Sequence, residues 1–109
     1  MSDFTKPERR ELSELAGIVY EAEAHRMLEK LDAEFERWRR GDKPSSDLLS
    51  AIHDFHQRDS RDLWSMYQSL KAPEIVARGV ALGLVSSGIS DILRAKLEPL
   101  VEFFSKGNR

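Results

Sequence analysis

From Pro7 to Arg40 the chain contains no residue that stops a helix, and this run constrains the fold more than any other feature. Gly17 costs about 1 kcal/mol relative to Ala in a helix interior but does not break one. Thr5-Lys6-Pro7-Glu8 reads as a start signal: Thr5 caps the first turn, Glu8 reaches back to the capping amide, and Pro7 tolerates an early helical position. The first punctuation is Gly41-Asp42-Lys43-Pro44-Ser45. A helix over residues 6–40 is about 50 Å long at about 1.5 Å per residue. A compact domain of 109 residues has a radius of gyration near ~13 Å, hence a diameter of about 34 Å. The helix is therefore expected to overhang its domain, to bend, or to be covered by a partner chain.

Helical phase divides this run in two. Leu12, Leu15, Val19 and Ala22 form one apolar stripe, and Ala24, Met27, Leu28, Leu31, Phe35 and Trp38 form another, about a third of a turn away. Two stripes on one helix predict two packing partners. The second stripe is expected to meet the next helix across the turn at residues 41–45. The first is expected to be covered by the last two helices or by another protomer.

Three further helical segments complete the chain. The second begins at a serine cap, Ser45 or Ser46, and keeps apolar spacing through Leu48, Ile52, Phe55, Leu63, Met66 and Leu70 if Asp59 fills the gap. That phase predicts one continuous helix over about 46–71, the rival being a break with Asp59 or Ser60 capping a new start. The third segment, about 73–85, is apolar nearly all round, as befits a core or interface helix. Its Gly79 and Gly83, four apart, read as chance spacing. The fourth, about 90–106, opens on a Ser90-Asp91 cap and contains Pro99, which predicts a kink. The expected architecture is all-α, a single helical domain over residues 1–109. A long antiparallel hairpin (6–40 and 46–71) packs with two shorter helices (73–85 and 90–106), four-helix-bundle-like.

Composition narrows the function classes. The absence of cysteine excludes a disulfide scaffold, a thiolate zinc site and a thiol nucleophile. Seventeen Lys plus Arg against nineteen Asp plus Glu, a net charge of −2, provide no global basic field. No run approaches the roughly 20 apolar residues of a membrane span. The polar N-terminus lacks the apolar core of a signal peptide, which predicts a cytoplasmic protein. Neither a Gly-x-Ser-x-Gly elbow nor a phosphate-binding or dinucleotide motif occurs, so no catalytic residue and no cofactor is expected.

Three groups of side chains are candidates for a site. If Asp59 lies within the apolar stripe, its carboxylate needs a partner. An antiparallel register brings Arg26, and with it Lys30, near His56 and Asp59, predicting a polar cluster of Arg26, His56 and Asp59 whose role is to hold helix register. At the hairpin tip, Arg37, Arg39, Arg40 and Lys43 surround Trp38 and form a candidate phosphate or nucleic-acid contact, aided by Arg58 and Arg61. The competing reading puts Trp38 in the core and leaves the arginines at the helix's negative end. His53 and His56, three apart, could present imidazoles to a metal. His25, the remaining histidine, falls about 7 Å from that position along the axis, so no metal is expected.

A further candidate is an interface of Leu12, Leu15 and Val19 with Phe103 and Phe104. The function expected is a non-catalytic helical module acting by self-association, as a homo-oligomer (dimer), or by binding another protein. The alternatives are a nucleic-acid-binding or regulatory accessory protein using the basic tip, and a His/Asp-based metal or ligand site.

Overall fold

A computed structural model describes residues 4–107 of the protein; Met1, Ser2 and Asp3, the start of the polar N-terminus, lie outside the described residues. The described chain is all-α and bundle-like, a long first helix packed against shorter ones. Its helices are α1 (Lys6–Arg39), α2 (Ser45–Asp54), α3 (Ser60–Ser69), α4 (Ala72–Ala81) and α5 (Asp91–Ser105), with a π turn, Phe55–Asp59, between α2 and α3. The chain divides into two compact units. The terminal unit comprises residues up to Ala22 and from Leu70 on; the hairpin unit is Glu23–Ser69. α1 contributes its first part to one and its second part to the other.

In the terminal unit the first stripe of α1 is covered by the chain itself. Leu12 is 1% exposed and Val19 0%, and with Leu15 they share a core with Ile75, Val76 and Ala77 of α4, Val85, and Leu93, Leu97 and Val101 of α5. This corrects the expected interface: Leu12, Leu15 and Val19 are interior residues, because α4 and α5 supply the apolar cover that a second protomer would otherwise provide. The expected Thr5–Glu8 capping box forms, with Thr5 N–H donating to Glu8 Oε1 (2.9 Å) and Glu8 N–H to Thr5 Oγ1 (3.2 Å). Glu8 also accepts from Lys96 of α5 at 2.8 Å, and Lys96 stands 5.8 Å from the Phe4 ring centre. The Ser90 side chain does not cap α5. Its N–H and hydroxyl both donate to the Glu11 carboxylate of α1 (2.9 and 3.1 Å), which ties the start of α5 to α1. α5 runs helical through Pro99.

Gly79 within α4 and Gly83 just beyond it have separate jobs. A Cβ on Gly79 would lie 2.5 Å from Val19 Cγ2. The glycine is what lets the α4 backbone approach α1 this closely. Gly83 has φ 74°, and the bonds Leu84 N–H to Gly79 O (2.8 Å) and Gly83 N–H to Val80 O (3.1 Å) form a Schellman termination. α4 therefore ends at Ala81, earlier than the apolar run to Val85 suggests.

In the hairpin unit, α1 closes with the same device. Gly41 has φ 85°, and its N–H donates to Trp38 O while Asp42 N–H donates to Arg37 O. α2 then starts at Ser45 with extended Pro44 ahead of it and no side-chain cap. The Ser45 hydroxyl instead accepts from the Trp38 indole at 3.0 Å. Tyr67 of α3 donates to the Glu23 carboxylate of α1 at 2.6 Å, a part-buried bond that joins the hairpin's open end.

The second segment stays helical from Ser45 to Ser69, but not as one regular helix. Ser60 N–H donates to Phe55 O, five residues back, so the turn Phe55–Asp59 holds one residue more than an α turn. Half-buried Ser60 takes the inward position that Asp59 would hold in an unbroken α-helix, and Asp59 is turned out to solvent. The physical reason is the cost of burying a carboxylate, which the extra residue avoids.

Two measurements check this account. Gly79→Ala is expected to lower unfolding stability by about 1–3 kcal/mol in urea denaturation through overpacking against Val19. Combined with Val19→Ala, it should lose less than the sum of the two single losses. Deleting Asp59 removes the extra residue of the π turn and keeps Ser60, Leu63 and Tyr67 in phase. That deletion should leave helix content unchanged and stability within about 1 kcal/mol of the parent.

Candidate interaction surface

The hairpin unit buries very little. Only Leu48 and Leu63 lie below a tenth exposed, while Met27, Leu31, Phe35, Ile52, Phe55, Met66 and Tyr67 are half-buried. These residues mark the inward stripe of each helix. One step after an inward residue, about 100° round the helix, the side chain emerges on one flank of the hairpin; one step before, it emerges on the other. In an antiparallel pair, rotation in the same sense from the two inward stripes leads to the same side, so these flanks combine into two faces.

The two faces differ sharply. The face one step before the inward residues carries Arg26, Lys30, Glu34 and Arg37 from α1, with Asp47, Asp54, Asp59 and Asp62 from the second strand of the hairpin. It is charged on both helices, basic along α1 and acidic opposite. The other face carries Leu28 after Met27, Leu49 after Leu48 and Trp64 after Leu63, and these three are 55%, 66% and 62% exposed. On that face lie also Asp32, Glu36 and Arg39 of α1, and His53, His56 and Arg61 opposite.

The expected polar cluster does not form as an embedded site. Arg26, His56 and Asp59 are all exposed, and no polar or charged residue is buried among the described residues. The π turn swings Asp59 onto the charged face, while His56, one step after inward Phe55, lies on the apolar one. Leu28 is also moved from its expected place in the second stripe to the exposed face. Trp38 remains at the inward position and stays 40% exposed, with its indole N–H bonded to Ser45.

The basic tip is matched with acids. Arg39 meets Glu36 at 3.0 Å, Arg40 meets Asp42 at 3.4 Å, Arg37 stands 4.0 Å from Glu34, and Lys43 pairs with Glu34. The Lys43 ammonium, bonded to the Glu34 carboxylate and aided by the nearby charge of Arg37, holds that carboxyl below its ordinary value against an opposing desolvation. Arg58 likewise faces Asp54 at 3.3 Å. Among the described residues no three His, Asp or Glu side chains gather to hold a metal ion, so His53 and His56 have no third ligand. His25 pairs with Glu29 at 3.4 Å.

In the terminal unit, Phe103 is exposed and Phe104 half-buried, their rings edge to face with centres 5.2 Å apart. No described helix is long and apolar enough to cross a membrane. The chain matches no protein-family model, no curated protein and no solved structure.

The apolar face is not apparent from helical spacing alone, although the sequence carries a signal for it. In each case a large apolar residue directly succeeds a stripe residue, at Met27-Leu28, Leu48-Leu49 and Leu63-Trp64.

The tip gives a direct test. Lys43→Met should raise the Glu34 carboxyl toward its ordinary value, followed by NMR titration. A depressed folded value stabilises the fold above pH 4.5, and that contribution is lost as pH falls below 4.5 through the folded value. The variant should therefore show a weaker fall in stability over that acid window than the parent.

Proposed function

We propose that the protein is a non-catalytic helical module that acts by association, with a second copy of itself or with another protein, through the hairpin unit. The observation that carries this reading is the contrast within one unit: Leu48 and Leu63 are its buried core, while Leu28, Leu49 and Trp64 are each more than half exposed along one face. A helical hairpin with so small a core gains stability from covering such a face, at roughly 25 cal/mol per Å² of apolar surface removed from water. Large apolar side chains exposed along one face and flanked by charge mark a candidate interface.

Phosphate or nucleic-acid binding at the tip is the weaker reading. Each of Arg37, Arg39, Arg40 and Lys43 faces a carboxylate, so a phosphate would have to displace Glu34, Glu36 or Asp42. Solution mass by light scattering over about 1–100 µM, the span of ordinary weak-to-moderate affinities, is the first experiment. The expected result is a mass that rises above the 12.5 kDa of one chain. A mass fixed at one chain throughout would confine the reading to association with a different protein. Salt-dependent binding to duplex or single-stranded nucleic acid, abolished by reversing Arg39, Arg40 and Lys43, would replace it.

A further inference from the structure

The charges beside the apolar face distinguish among possible partners. Along α1 this face carries Asp32, Glu36 and Arg39, the last two paired with each other at 3.0 Å. Along α2, the π turn and α3 it carries His53, His56 and Arg61, and none of the four aspartates there, Asp47, Asp54, Asp59 and Asp62, lies on it. One edge of the face therefore carries two carboxylates against one guanidinium, and the other has cationic or proton-bearing side chains without a carboxylate. Between the edges stand Leu28, Leu49 and Trp64. A surface with unlike edges and an apolar middle is complementary to itself under a two-fold rotation about an axis along the hairpin. That rotation lays the α1 edge of one copy over the α2–α3 edge of the other, with the apolar side chains meeting between them. The alternative two-fold, at right angles to the hairpin, stacks each edge on its own kind, sets Asp32 toward the net-negative edge of its copy, and leaves His53, His56 and Arg61 facing one another without a carboxylate.

We infer that a second copy of this chain is the occupant of the Leu28–Leu49–Trp64 face. The two hairpins stack with their tips pointing the same way, forming a four-helix layer in which Asp32 and Glu36 of each copy face the His53–His56 edge of the other. This rests on the association reading above and names its partner and geometry.

The test uses the full chain and reads mass and dimer dissociation, with far-UV circular dichroism as the folding control. Trp64→Glu places a charge at a side chain already 62% exposed, so the monomer should keep its helix content while the dimer is lost. Reversing one edge with Asp32→Lys and Glu36→Lys should weaken the dimer by about tenfold or more, as should His53→Glu with His56→Glu. Combining the two reversals restores complementarity and should bring affinity back to within about threefold of the parent. A parent dimer indifferent to Trp64→Glu would overturn the inference and leave association through another surface. Two reversals that simply add would overturn the proposed stacking. A parent that stays monomeric would overturn the second copy as occupant while leaving a different protein as the partner.

Discussion

One helix serves two cores, and the rest of the structure is arranged around that constraint. α1 presents Leu12, Leu15 and Val19 to the terminal unit and Met27, Leu31 and Phe35 to the hairpin unit. The first set is fully covered because α4 and α5 both lie against it, with Gly79 allowing the backbone of α4 to reach Val19. The second set has only one helical strand against it and remains half-buried. Two helices side by side cover each other along one line and leave their flanks wet, so the hairpin unit has little interior to give.

The consequences for stability divide in the same way. The terminal unit combines a continuous apolar core with polar ties that fix its register, the Glu8–Lys96 bond and the two bonds from Ser90 to Glu11. The carboxyl of Glu8 is held below its ordinary value chiefly by the Lys96 hydrogen bond, so this tie weakens in acid. The hairpin unit relies more on its ends. At the tip there is the glycine termination, the Trp38–Ser45 bond and the Lys43–Glu34 pair; at the open end there is Tyr67 on Glu23. Between them the π turn resolves a conflict between apolar spacing and a carboxylate that the interior does not accept.

That resolution also shapes the proposed function. Turning Asp59 out of the stripe sends it to the charged face, where its neighbours are acidic along α2 and α3 and basic along α1. The opposite face is left with its leucines and Trp64 between unlike edges. A π turn is a local device, yet here it sorts charge between the two sides of a helical pair.

Much of the architecture is written in residue spacing. The start at Thr5–Glu8, the stop at Gly41, the all-helical class and the two stripes of α1 depend on neighbours within a few positions, and local chemistry decides them in any context. The end of α4 departs from its spacing because apolar character continues to Val85, while a left-handed glycine at Gly83 ends the helix however apolar the next residues are. Ser45 and Ser90 have the chemistry of caps but bond elsewhere, to Trp38 and Glu11, since a hydroxyl takes whichever partner the fold brings within reach. Which stripe is sheltered, and by what, needed the tertiary structure. Burial is a property of distant segments brought together, as with Val19 and Gly79, and spacing along one helix states only which residues want cover. The same holds for the site. Sequence named the apolar residues and the charges, but only the extra residue of the π turn took Asp59 out of the inward stripe and gave its place to Ser60.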